Sequence, residues 1–245
     1  MRGYVNANRH VHSHSMSASK IVIANWKSNK TVHEAMVWLD AFSHLLSGES
    51  AVTALCRTHK HEIVLALPTT YLLLGLDIIK QYPFVKLAAQ NISMFGDGSY
   101  TGEVSARALS DIVSYSLVGH SERRRWFGED GTQIQAKVDL LLHSNITPIV
   151  CVRSIEDARM LILSQELYVA YEPDESIGSG QNAPLSQVTS IASQIEGVRG
   201  FIYGGSVTFA NVSEYTSNEH VNGVLVGRAS LDPQDFYNLT EAALL

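Results

Sequence analysis

The chain has 245 residues, 45% of them hydrophobic and 17% charged, which suits one well-buried domain or two small ones. Its formal net charge of −6 argues against a nucleic-acid partner, because binding a phosphate backbone needs a basic face. No apolar run approaches the length of a membrane span. The two cysteines, Cys56 and Cys151, sit beside apolar residues and fit a reducing, cytoplasmic setting better than a disulfide framework.

Residues 1–15 carry Asn, Ser, Arg and the alternating His10, His12 and His14, with none of the apolar core that a secretory signal needs. They read as a disordered or added leader, with a metal-binding tract as the alternative. Met16 is a natural start, and residues 16–245 are expected to form one domain. From Lys20 onward, short apolar runs alternate with amphipathic stretches. Strands are expected over 21–24, 63–67, 85–89, 116–118, 148–151, 168–171, 201–203 and 224–226. Helices are expected over 32–46, 71–81, 106–115, 133–143, 155–163, 185–195, 209–216 and 234–244. The strands are continuously apolar rather than alternating, as parallel strands covered on both faces should be.

Eight strand–helix pairs in strict alternation predict an α/β fold, a single closed (β/α)8 barrel, which typically needs about 250 residues. A doubly wound open sheet is the rival. It often carries a Gly-rich loop after its first strand, where this chain has Asn25, Trp26 and Lys27. In such barrels the chemistry lies just past the C-terminal strand ends. Asn25 and Lys27 follow the first strand, and His120, Ser121 and Glu122 the fourth. Glu172, and then Gly178, Ser179 and Gly180, follow the sixth. Gly204, Gly205 and Ser206 follow the seventh, and Gly227 and Arg228 the eighth. One lysine, one histidine and two carboxylates thus share a rim with Gly-containing turns, whose N–H groups can cradle phosphate. Each residue alone is more often structural than catalytic, and it is their joint placement that points to a site. Neither a cysteine–histidine metal spacing nor a Ser–His–Asp order is needed to explain them.

These residues name a family. Asn25-Trp26-Lys27-Ser28-Asn29, Gly119-His120-Ser121-Glu122-Arg123-Arg124, Tyr171-Glu172-Pro173 with Ile177-Gly178-Ser179-Gly180, and Tyr203-Gly204-Gly205-Ser206-Val207 resemble the motifs of triosephosphate isomerase. Gln90-Asn91 and Tyr100-Thr101-Gly102-Glu103 resemble its protruding third loop. The resemblance runs in order from about Lys20 to the C-terminus. It implies a TIM barrel that interconverts dihydroxyacetone phosphate and glyceraldehyde 3-phosphate without a cofactor or metal. By the same resemblance Glu172 is the base, His120 the neutral electrophile, Lys27 the cation beside the enediolate and phosphate, and Asn25 an oxyanion support. Glu122 would hold Lys27, and Gly178, Ser206, Gly227 and Arg228 would grip phosphate. Pro173, Asp174, Glu175, Ser176, Ile177, Ser179 and Gly180 would belong to a closing lid over 173–183 that keeps water from the enediolate. A base of this kind is expected to be partly desolvated, which lifts its pKa. Residues 93–103, with Thr101, Gly102 and Glu103, resemble an arm that enters a neighbouring subunit. A homo-oligomer follows, a dimer before a tetramer, in a cytoplasmic setting of glycolysis and gluconeogenesis.

Three features depart from the family pattern. The lid lacks its usual tryptophan and reads Asp174-Glu175-Ser176, while Arg153 stands after strand five and is expected to pair with Glu175. The stretch from Cys151 to Glu172 is about half the usual length, so its helix should be short. Arg228 stands where a second glycine is usual, its side chain pointing outward or adding charge beside the phosphate. Another sugar-phosphate barrel and a catalytically dead barrel used for binding are the alternative functions.

Overall fold

The computed structural model describes residues 19–173 and 182–245. The leader with His10, His12 and His14 and the lid residues Asp174, Glu175, Ser176, Ile177, Gly178, Ser179 and Gly180 lie outside the described residues.

Eight parallel strands close into a barrel in chain order. They are β1 (Ile21–Asn25), β2 (Glu62–Leu67), β3 (Val85–Ala89), β4 (Tyr115–Val118), β5 (Thr147–Val152), β6 (Tyr168–Tyr171), β7 (Gly200–Tyr203) and β8 (Gly223–Val226). The ring shuts where Ile21 pairs with Gly223 and Ala24 with Val226. This is the closed (β/α)8 barrel that the alternation predicts, and the open sheet is excluded.

Strand parity sorts the core. Ile21, Ile23, Val64, Leu117, Ile149 and Leu225 fill the barrel interior. Val22, Ala24, Ile63 and Val224 face outward and pack under the surrounding helices. One outer layer is aromatic: Trp38 and Phe42, on α1 (Val32–Leu46), meet Trp26 and Phe236 at ring separations of 4.9–6.1 Å. Thr31 starts α1 with a capping box shared with Glu34.

The helices differ from expectation where the sheet or a close approach claims residues. A helix α2 (Ala51–His59), capped by Ser50, precedes β2 and was not expected from the pattern. The expected 71–81 helix is a tight 3-10 stretch, Thr69–Gly75, followed by α3 (Leu76–Gln81). A Cβ at Gly75 would stand 2.6 Å from Leu87 Cδ2, so this segment runs hard against β3. The expected 106–115 helix stops after one turn, α4 (Ala106–Leu109), because Tyr115 is drawn into the sheet opposite Ala88 and Thr147. A charged helix, α5 (Ser121–Phe127), follows β4 and leads to α6 (Gly131–His143). The fifth crossover is short as expected, with only α7 (Ile155–Arg159). α8 (Leu185–Ala192), α9 (Val212–Thr216) and α10 (Pro233–Leu244) complete the shell.

The closing seam tolerates no side chain at Gly223, where a Cβ would fall 1.9 Å from the carbonyl oxygen of Ile21. Gly223→Ala is therefore expected to cost about 3 kcal/mol or more by chemical denaturation, the upper range for an overpacked core. Gly131→Ala, which meets nothing nearer than Met160 at 3.9 Å in the first turn of α6, should be neutral or stabilising by about 0.5 kcal/mol. Equal losses at the two positions would contradict this reading of the seam.

Candidate active site

The parity that fills the barrel also aims its mouth. Ile21 and Ile23 point inward, so Asn25 does too. Tyr168 and Ala170 hand the same direction to Glu172, Ile202 to Gly204, and Leu225 to Gly227. Asn25 is the last residue of β1, paired with Ala66, rather than the first loop residue that the sequence suggested.

Lys27 sits in the left-handed backbone region at φ 52°, a conformation that costs a non-glycine residue about 1–3 kcal/mol. Neighbours hold it there. Asn25 Oδ1 accepts the Lys27 N–H at 3.0 Å, and Gln90 Nε2 donates to the Lys27 carbonyl at 3.0 Å and to that of Ala66 at 2.9 Å. The Lys27 ammonium then reaches Glu122 Oε1 at 2.7 Å.

His120 stands at the start of α5, where its Nδ1 accepts the backbone N–H of Glu122 at 3.2 Å. That bond leaves the ring proton to Nε2, which lies 3.1 Å from Glu172 Oε1. Glu172 is 3% exposed, and its other oxygen faces the Ser121 N–H at 3.5 Å. The Ser121 hydroxyl is buried beside it without a hydrogen-bond partner among the described residues.

The two titrating groups oppose one another. Burial pushes His120 down, but the Glu172 carboxylate, joined by Glu122, outweighs it and lifts His120 above its ordinary 6.5. Burial likewise pushes Glu172 up, yet the His120 contact, with Lys27 and the Ser121 N–H, brings it below its ordinary 4.5. The expectation that desolvation raises this carboxyl is therefore corrected: while it touches His120, the contact overrides burial.

A cavity of about 540 Å³ opens here, and Asn25, Lys27, His120, Glu172, Ser206 and Gly227 contribute to its wall. Arg228 lines the same cavity and is exposed. Glu122 lies across Lys27, in the wall of an adjoining cavity of about 370 Å³ that Gly102 and Glu103 also line. Thr101 is exposed at the tip of its loop, which is closed at the base by Ser93 N–H to the Val104 carbonyl. Pro173 is buried directly after Glu172. Arg153 holds Asp157 with bonds of 2.9 and 3.2 Å; its expected partner Glu175 lies outside the described residues.

From the sequence, Gly204 is recognisable only as part of a turn. Its bare Cα is what admits Glu172, since a Cβ there would stand 2.6 Å from Glu172 Cγ. The inward parity of β7 was the available signal. The strain at Lys27 and its support by Gln90 had none.

A barrel mouth that sets a buried carboxylate against an imidazole, beside a lysine and glycine turns, defines an acid–base enzyme of the (β/α)8 class. A family model described as triosephosphate isomerase matches residues 20–243. A triosephosphate isomerase of Mesomycoplasma hyopneumoniae (strain 7448) is 31% identical over 239 residues, covering 89% of this chain and 96% of the relative. Those of Trichodesmium erythraeum (33% over 246 residues; 89% and 97% covered) and Synechocystis sp. (34% over 241 residues; 89% and 96% covered) are similar to it in the same way. The chain belongs to the triosephosphate isomerase family.

The coupling of the two groups is directly testable. In Glu172→Gln, the His120 imidazole should titrate at lower pH than in the parent, followed by NMR of its ring protons. An unchanged or higher value would show that Glu172 does not hold the His120 proton.

Proposed function

We propose that this chain interconverts dihydroxyacetone phosphate and D-glyceraldehyde 3-phosphate by proton transfer through an enediolate. The observation that carries the reading is the 3.1 Å contact between Glu172 and the Nε2–H face of His120, inside one cavity with Lys27, Ser206 and Gly227.

Carbon acids beside a carbonyl are weak, so catalysis needs a base at the carbon and fixed donors at the oxygen. Glu172 takes a proton from the carbon next to the carbonyl and returns it to the neighbouring carbon. His120 donates from Nε2 to the oxygen on which charge builds, with Asn25 and Lys27 beside it. This pairing of a glutamate base with a neutral histidine is the one for which triosephosphate isomerase is itself the standard example. The described arrangement gives it a physical basis here. When Glu172 turns from His120 to the substrate, the larger influence that raises the histidine is weakened, and the smaller one of Glu122 is left. Burial and the Glu122 N–H on Nδ1 remain, and both favour the neutral ring. Glu122 holds Lys27, while Ser206, Gly227, Arg228 and Gly178 take the phosphate. The lid role stays assigned by family resemblance to Pro173, Asp174, Glu175, Ser176, Ile177, Ser179 and Gly180.

The catalytic domain is 16–245 in this reading, and the enzyme works as a homo-oligomer, a dimer before a tetramer. The third loop supports this: Phe95 and Tyr100 stack in parallel 4.4 Å apart while still 39% and 44% exposed, and the adjacent Thr101, Gly102 and Glu103 are exposed as well. The setting is cytoplasmic glycolysis and gluconeogenesis. Cys56 and Cys151 are both unpaired and buried, and no helix among the described residues is long and apolar enough to cross a membrane.

In a coupled assay the parent should isomerise both triose phosphates. Glu172→Gln should lose about 10²- to 10⁴-fold in kcat, the usual worth of a general base. Glu172→Asp, which withdraws the carboxylate by one methylene, should lose about 10²-fold. A parent inactive on both substrates would overturn the proposal in favour of a different sugar phosphate or a binding role.

A further inference from the structure

We propose that Arg228 is a steering cation that draws the substrate's phosphate dianion onto the Gly227 side of the mouth. The inference rests on the triose-phosphate reading of the site. The chain carries a net charge of −6 and so repels a dianion on approach. Within the cavity wall the local charge is little better. Lys27 is committed to Glu122 at 2.7 Å, and Glu172 and Asp235 add negative charge to the same wall. Among the described residues Arg228 is the remaining lysine or arginine of that wall, and its guanidinium makes no hydrogen bond or ion pair there. Its place is fixed by the turn. Gly227 continues the inward row of β8 beside Lys27, where a Cβ would be in ordinary contact with Lys27 Cε at 3.4 Å, and a 3-10 turn (Arg228–Ser230) begins on the next residue. The Ser230 N–H and hydroxyl both bond the Gly227 carbonyl, at 2.9 and 2.7 Å, which locks the turn. Arg228 thus lines the same cavity as Ser206 and Thr208 and is exposed to water. An exposed guanidinium in that position acts on encounter rather than on the chemical step.

The test compares the full-length parent with Arg228→Gln, which removes the charge, and Arg228→Lys, which keeps it. Each is assayed for kcat and KM from about 0.01 M to about 1 M ionic strength, a range over which the screening length falls roughly tenfold. At low salt, Arg228→Gln should lose about 3- to 10-fold in kcat/KM, carried by KM. The gap should close at high salt, and Arg228→Lys should keep most of the parent's efficiency. Titration with inorganic phosphate should show the same salt-dependent weakening in Arg228→Gln, a readout that needs no turnover. Equal kcat/KM and equal salt slopes in parent and Arg228→Gln would overturn the inference, as would a loss that is the same at every salt concentration. A parent inactive on triose phosphates would instead refute the functional reading, and the phosphate titration would still decide the role of Arg228.

Discussion

Closure of the sheet on itself is the constraint from which the rest of the molecule follows. Once β8 pairs with β1, every strand has an inside and an outside, and side chains alternate between them with period two. The inward rows are apolar through the middle of the barrel, and at the C-terminal mouth they hand over to Asn25, Glu172, Gly204 and Gly227. The site therefore needs no special scaffold. It is the top layer of the barrel core, with polar or absent side chains where the lower layers have Ile, Val and Leu. The bare Cα of Gly204 makes room for Glu172.

Charge at the mouth is arranged in pairs that hold groups ready. Lys27 is strained in its backbone and pinned at its ammonium, so its position is set before anything binds. Glu172 and His120 hold one another in the resting state, the carboxylate lowered and the imidazole raised by the same contact. The pair exchanges partners if the proposed chemistry is right: the base goes to carbon and the histidine is left neutral. Behind them, buried Glu129 accepts from Lys137 at 3.0 Å and also binds Arg123, while Lys137 holds Asn91 at 2.7 Å. This network ties the start of the third loop to α5 and α6.

Much of this was readable in the residues. The eight apolar runs located all eight strands to within a residue or two, because strands covered on both faces leave a plain signal. The polar residues after those runs gathered His120, Glu172, Lys27, Ser206 and Gly227 around one cavity. The helices were less legible. α5 was hidden because Ser-Glu-Arg-Arg-Arg has no apolar stripe; it is held instead by its arginines, Arg124 on the Gly119 and Cys151 carbonyls and Arg123 on Glu129. The end of the 106–115 run went to β4 because pairing with β3 and β5 outweighs local helix preference at Tyr115. The lowered Glu172 and raised His120 could not be read either, since both depend on a contact between residues far apart in the sequence.

The central claim is that Glu172 shuttles a proton beside the substrate carbonyl. The most direct measurement is NMR of dihydroxyacetone phosphate incubated with the protein in D2O. The account predicts that one hydrogen of the hydroxymethyl carbon exchanges for deuterium, stereospecifically, and that Glu172→Gln suppresses the exchange by the same factor as turnover. Exchange that persists at the parent rate in Glu172→Gln, or that takes both hydrogens of that carbon equally, would contradict it.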